Sequence, residues 1–284
     1  MYSRLALAVQ YLLPKQIITE LAGKFANAKA DRLTTAVISW FVNRYGVNMA
    51  EAAQPDIQQY QTFNDFFTRS LRVGARRMAQ ADFSCPVDGA ISQFGKIEND
   101  HIFQAKGHSY STTALLGGDE ALAKNFQNGS FATLYLSPKD YHRVHMPCNG
   151  QLKRMIYVPG SLFSVNPATA QGVPGLFARN ERVICEFDSA HGKFVLVLVG
   201  ATIVGSMATV WHGVVNPPRS KAIREWTYTG EQAITLNKGR EMGRFLLGST
   251  VVMLFPKGAL QFNPEWAAAK TIRLGEMLAD LPAA

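Results

Sequence analysis

Cysteine is scarce: Cys85, Cys148 and Cys185 are the only three in 284 residues. They are odd in number, widely spaced and without a Cys-x-x-Cys pair, which excludes a disulfide framework and points to a reducing compartment, the cytoplasm. Charge is sparse too. Asp, Glu, Lys and Arg make up 18% of the chain against 47% hydrophobic residues, so the composition is not that of a disordered protein and suffices for a full-sized core. Basic residues form no consecutive run and do not alternate with aromatics, so no nucleic-acid surface of that kind is expected. No repeat of fixed period and no low-complexity tract occurs, which sets aside solenoids and tails. Lys15, Glu20 and Lys24 interrupt the apolar N-terminus and no small-residue cleavage site follows a compact apolar run, so a secretory signal peptide is not expected.

Long uncharged stretches are nearly missing as well. Residues 194–211, eighteen without a charge, reach the lower limit for a spanning helix. Their composition favours two buried strands: 194–199 is short, β-branched and closed by Gly200, and 201–211 carries Gly205, Ser206, Thr202 and Thr209. What the chain does have is a net charge of +8. That suits a polyanionic partner, with anionic lipid ahead of nucleic acid for want of an Arg and aromatic pattern, or simply an ordinary basic enzyme.

The first fifty residues read as helices. Leu5, Val9, Leu12 and Leu13 share a face, Pro14 breaks the chain, and Ile17, Ile18, Leu21 and Phe25 form the next face; Val37, Ile38, Phe41 and Tyr45 mark a third helix. With Arg4, Lys15, Lys24 and Lys29 for a polar side, these helices suit either a bilayer interface or packing onto the body of the protein. From Pro86 the texture becomes short β-rich segments at 131–136, 152–158, 183–187, 194–199, 223–228 and 251–255, and one helix is expected over 115–126, weakened by Gly117 and Gly118. The expected fold class is α+β: N-terminal amphipathic helices over 1–60, then a mainly antiparallel β catalytic domain over 61–284.

Three places carry candidate chemistry. Gly248-Ser249-Thr250 stands just before an apolar strand. A Gly-Ser pair is first a turn. It is also a place where a serine hydroxyl can attack the preceding carbonyl, since glycine has no Cβ in the way and tolerates sparsely populated backbone angles. Ester formation, elimination across the Ser249 Cα–Cβ bond and hydrolysis would then leave a pyruvoyl ketone. Ser137-Pro-Lys-Asp-Tyr-His-Arg-Val-His-Met-Pro-Cys148 offers His142 and His145 after a strand. With Cys148 they make an incomplete zinc set, lacking a fourth ligand; a structural pair and acid-base work are the other readings. Pro86-Val-Asp-Gly89 places Asp88 at the mouth of a strand, as a tight turn or as the carboxylate that orients a histidine and stabilises its charged form.

Taken together, Pro86-Val-Asp-Gly89, Tyr141-His-Arg-Val-His-Met-Pro147 and Leu247-Gly-Ser-Thr250 resemble the bacterial phosphatidylserine decarboxylase family, in the same order. The likeness extends through Tyr11-Leu-Leu-Pro14, Thr62-Phe-Asn-Asp-Phe-Phe67, Val158-Pro-Gly-Ser-Leu-Phe-Ser-Val-Asn166 and Phe177-Ala-Arg-Asn-Glu-Arg182. The resemblance implies a self-cleavage triad, with His145 as base, Asp88 orienting it and Ser249 as internal nucleophile. Cleavage at Gly248–Ser249 would give subunits 1–248 and 249–284, the latter of 36 residues and starting with the pyruvoyl group. The substrate amine would form a Schiff base with that ketone, an electron sink in place of pyridoxal phosphate, and no metal is expected. His142 would protonate the carbanion carbon to release phosphatidylethanolamine. The resemblance further implies phosphatidylserine in an anionic membrane as partner, a peripheral place on the cytoplasmic face of the inner membrane, and a homodimer. It assigns no headgroup contact to Tyr135, Phe163 or Asn166. Two other classes compete: a serine hydrolase using Ser249 and His145, although no Gly-x-Ser-x-Gly elbow surrounds the serine, and a non-catalytic binder of anionic lipid.

Overall fold

The structure, a computed structural model, describes residues 10–105, 107–203, 206–248 and 250–282. Arg4, Leu5, Val9, Gly205 and Ser249 therefore lie outside the described residues. Pro14 has no N–H to give to a preceding turn, and helix α1 (Lys15–Ala26) begins on the next residue. Helix α2 (Arg32–Tyr45) stops where Gly46 turns left-handed at φ 68°. Helix α3 (Phe63–Phe67) is opened by a capping box in which Thr62 and Asp65 satisfy each other's backbone N–H.

Most of the rest is strand: β1 (Gly89–Lys96), β2 (Ser130–Tyr135), β3 (Arg143–His145), β4 (Gly150–Val158), β5 (Arg182–Ser189), β6 (Gly192–Val199), β7 (Met207–Thr209), β8 (Gly213–Asn216), β9 (Arg224–Thr227), β10 (Ile234–Leu236), β11 (Glu241–Phe245), β12 (Thr250–Phe255) and β13 (Thr271–Ile272). A large sheet runs β9-β4-β5-β6-β12-β2-β1-β13, with β10 also on β4 and every pairing antiparallel. A second, four-stranded sheet has the order β8-β7-β11-β3. The expected α+β class is what the chain adopts.

The large sheet is covered on both faces, which explains why its central strands read as unbroken apolar runs. Alternate side chains enter opposite cores. Val252 and Leu254 join Val195, Val197 and Val199 on the face toward Phe66 and Ile38, and Val251, Met253 and Phe255 join Leu196 and Leu198 on the face toward Val144, Met207 and Phe245. Of the two strands expected in 194–211, the first forms as β6; the second is confined to β7, with a turn at Thr202 and Ile203. Among the described residues, no helix is long and apolar enough to cross a membrane.

Two local expectations change. The helix expected over 115–126 forms as two short pieces, Thr112–Leu115 and Glu120–Lys124, because Gly117 and Gly118 both take positive φ, 75° and 94°. Asp88-Gly89 is not a hairpin turn: Gly89 opens β1, and a Cβ there would collide with the carbonyl oxygen of Tyr135 on β2. Gly89→Ala should therefore force β1 and β2 apart at a cost of about 2–3 kcal/mol. A fall of roughly 5 °C or more in the thermal midpoint is the expected reading; an unchanged midpoint would mean that the strands do not approach so closely.

Helix α1 turns Ile17, Leu21 and Phe25 outward, whereas α2 packs Val37, Ile38, Phe41 and Val42 against the core and leaves Leu33 and Trp40 outside. On α1 the buried residues are Thr19 and Ala26, and on α2 they are Thr34 and Ile38. Leu12, Ile17, Leu21, Phe25, Leu33 and Trp40 are all more than half exposed, Leu12 by 84%.

Candidate active site

The chain passes from the small sheet to the large one between β11 and β12, through Leu246, Leu247 and Gly248. Hydrogen bonds hold the approach: the Phe245 N–H donates to the His142 carbonyl at 3.0 Å and the Leu246 N–H to the Ser206 carbonyl at 3.0 Å. Buried Leu247 then takes φ 148°, a region that L residues rarely enter. Strain was expected at Gly248, where glycine tolerates it; the positive φ is carried by the leucine before it. Ser249 lies outside the described residues, and Thr250 resumes regular pairing with Tyr135 on β2 and Val199 on β6.

His142 stands beside this joint. It is wholly buried, with Phe67 of α3 tilted over its ring at 4.1 Å between centroids. Nδ1 lies 2.8 Å from the Asp140 carbonyl, which can only accept, so Nδ1 carries the proton and Nε2 the lone pair. Among the described residues Nε2 has no hydrogen-bond partner, and it sits 3.2 Å from where a Cβ on Gly248 would be. Burial drives the ring's pKa down to about 3, against the pull of the Asp140 carbonyl and with help from the like charge of Arg69. At neutral pH this is an uncharged imidazole with a free lone pair toward Gly248.

His145, at the end of β3, is engaged on both nitrogens: Nδ1 donates to the Gly239 carbonyl at 2.8 Å, and Nε2 accepts from the Tyr141 hydroxyl at 3.0 Å. Burial lowers its pKa, while the Glu241 and Asp88 charges push it back up. Its N–H donates to the Pro86 carbonyl at 2.9 Å, which ties β3 to the Asp88 segment.

Asp88 is buried, and its hydrogen bonds go elsewhere. Arg76 grips both carboxylate oxygens and the Leu274 N–H donates to Oδ1 at 2.8 Å; Glu51 in turn holds Arg76 at 2.7 Å and Arg273 at 2.9 Å. Among the described residues Asp88 makes no hydrogen bond to His145; it acts on that ring through its charge. Sequence reasoning did not single out Arg76, which lies in no motif. Tyr141 stood inside a quoted motif, but its hydroxyl carried no assigned role.

One cavity lies at the joint and another at Asp88. The first, of about 240 Å³, is lined by Gly248, Leu247, Phe67, Tyr135, Asn166 and Ile203, among others, and is mostly apolar. The second, of about 220 Å³, is polar and holds Asp88, Arg76, Arg69, Lys139 and Tyr141. Among the described residues, no group of three His, Cys, Asp or Glu is placed to hold a metal ion.

Comparison with known proteins bears on what such a joint does. Residues 63–280 match a family model described as phosphatidylserine decarboxylase, and residues 5–46 match one described as PSD. The chain is 71% identical over 278 residues to a phosphatidylserine decarboxylase proenzyme of Dechloromonas aromatica (strain RCB), covering 98% of both chains. It is 70% identical over 282 residues to the protein of that name from Albidiferax ferrireducens, covering 99% of both. With the one from Polaromonas naphthalenivorans it shares 68% identity over 285 residues, 100% of this chain and 99% of the other.

Proposed function

The chain belongs to the phosphatidylserine decarboxylase family, and from that premise we propose that it decarboxylates phosphatidylserine to phosphatidylethanolamine after cutting itself between Gly248 and Ser249. The observation that carries the reading is the Nε2 of His142 against Gly248, without a partner among the described residues, at a joint whose preceding residue is held in a strained conformation. Release of carbon dioxide from carboxyl-labelled phosphatidylserine in mixed micelles tests it; cut protein that releases none would overturn it.

The residues fit a pyruvoyl group formed from Ser249: Gly248 offers no side chain to obstruct it, and an apolar cavity with one free imidazole nitrogen lies alongside. When present, that group supplies an electron sink for the bond to the departing carboxylate. Ser249 is the internal nucleophile. His145 takes its proton on Nε2 once the Tyr141 hydroxyl gives up that nitrogen, and the negative charge of Asp88, fixed by Arg76, favours the charged form of His145. Through its Nε2, His142 delivers a proton to the substrate carbon after carbon dioxide leaves. The cavity is smaller than the roughly 300–1,000 Å³ usual for drug-sized ligands, so it takes a headgroup and leaves the acyl chains in the bilayer.

That arrangement requires a membrane alongside. We place the protein as a peripheral one on the cytoplasmic face of the inner membrane, with residues 1–60 as its membrane-associating region. The outward side chains Leu12, Ile17, Leu21, Phe25, Leu33 and Trp40, with Lys24, Lys29, Arg32 and Arg44 on the same segment, support this placement. Replacing Ile17 and Phe25 together by Glu removes two insertions of about 1.5–3 kcal/mol each. Sedimentation with phosphatidylglycerol vesicles should then show at least roughly a hundredfold weaker binding; undiminished binding would refute the placement. The homodimer belongs to the same proposal, and sedimentation of the cut protein at the mass of one chain pair rather than two would remove it.

A further inference from the structure

A histidine that donates from Nε2 must carry a proton there, and in the uncut chain His142 does not. Its one ring proton is on Nδ1, held by the Asp140 carbonyl at 2.8 Å, and the ring is buried against Phe67 with nothing to neutralise a second proton. The charges around it do not help. Arg69 acts on the ring with like sign, the Asp140 carboxylate is turned to the Ser137 N–H at 2.7 Å, and Arg143 and Glu241 pair with each other at 2.8 Å.

Cleavage changes what lies against Nε2. Ser249 Oγ attacks the Gly248 carbonyl carbon, and the C–N bond breaks as the C–O ester bond forms. Loss of the Ser249 Cα proton then breaks the Cβ–Oγ bond, and its electron pair leaves with the oxygen as a new carboxylate on Gly248. One water hydrolyses the remaining enamine and the nitrogen departs as ammonium, so one negative charge stays behind. A Cβ on Gly248 would be 3.2 Å from Nε2; the carboxylate carbon is on another bond of the same Cα, so the freed chain end brings its oxygens onto Nε2 by turning about its Cα bonds. No other group competes for that nitrogen among the described residues.

We propose that the carboxylate created on Gly248 becomes the counter-ion of His142, holding a proton on Nε2 and converting a neutral ring into the acid that the decarboxylation uses. This rests on cleavage at Gly248–Ser249. The first reaction thereby arms the second beyond supplying its electron sink. Buried ion pairs of this kind raise a histidine's proton affinity strongly, because the same low dielectric that penalised the lone charge strengthens the pair.

The test is a pH titration of ¹⁵N-labelled histidine side chains by NMR, on the cut wild-type protein and on uncut Ser249→Ala. The His142 signals are identified among the six histidines by their loss in His142→Gln. The expected result is a His142 that stays neutral down to about pH 5 in the uncut protein and is an imidazolium at neutral pH once cut, at least roughly a hundredfold gain in proton affinity. The kcat of the cut enzyme should correspondingly hold through neutrality and fall as pH rises through the raised pKa, since the protonated form does the work. Equal midpoints in the two forms would overturn the proposal. A wild-type protein that mass spectrometry finds uncut would instead refute the cleavage on which it rests, and if Ser249→Ala does not fold, Ser249→Gly, which also lacks the hydroxyl, serves as the uncut reference.

Discussion

Ser249→Ala will remain a single 31.3 kDa chain that releases no carbon dioxide, while the parent protein resolves under denaturing conditions into residues 1–248 and a 36-residue piece with a blocked first residue. The substitution removes the only atom that turns the joint into a ketone and leaves backbone and neighbours in place, so the expected loss of activity is complete. Under native conditions the two pieces of the parent protein should travel together. β12 lies between β6 and β2, and Val251, Val252, Met253, Leu254 and Phe255 are buried to 1% exposure or less. At about 1.5–3 kcal/mol for each such side chain, this strand alone holds the small piece firmly. An unblocked 36-residue piece would point to ordinary hydrolysis of the chain, and an uncut parent would leave a hydrolase or a lipid-binding protein as the better reading.

His142→Ala should be cut normally and then decarboxylate about 10²–10⁴-fold more slowly, the usual worth of a positioned acid. His145→Ala should fail earlier, at the cut. The contrast follows from what each ring touches. His145 is tied by both nitrogens to Gly239 and Tyr141 and feels the charge of Asp88, whereas the free nitrogen of His142 faces the backbone that becomes the reaction centre. Mass spectra taken over time report the cut, and labelled carbon dioxide reports the second reaction, so the two roles separate in one preparation. His142→Ala protein that is cut and decarboxylates at the parent rate would end the assignment of His142; His145→Ala protein that is cut on schedule would end that of His145.

The strands read at 131–136, 152–158, 183–187, 194–199 and 251–255 were legible because the large sheet is covered on both faces and its central members are largely apolar, Thr133 and Glu186 being buried exceptions; β3, β8 and β11 of the small sheet are short and mixed in composition and were not read. The helices were legible as helices, but the side each one presents was not: the period that marks a core-facing helix also marks one that faces out, and the structure turns α1 outward, with only Thr19 and Ala26 buried, while α2 packs Val37, Ile38, Phe41 and Val42 on the core. Candidate site residues came from motifs, and motifs name residue types without their partners. Arg76 reaches Asp88 from twelve positions away, and its place depends on Glu51 and Arg273 as well, a network with no local sequence signature. The strained residue was missed because glycine is where such angles cost least; Leu247 holds φ 148° because burial and the Phe245 and Leu246 hydrogen bonds fix the chain on its near side.

The central position of β12 also gives the molecule a single opportunity to assemble. While the chain is continuous, the short span after β11 delivers this strand to its slot as an intramolecular event. Once the chain is cut, a fully unfolded molecule is two solutes, and regaining the native sheet requires a 36-residue fragment with an exposed apolar run to find a gap between two specific strands before it meets another copy of itself. The finished enzyme is therefore a product that cannot be remade from its parts. Its working lifetime is set by how rarely it opens rather than by how readily it recovers, and only new synthesis replaces a molecule that has come apart.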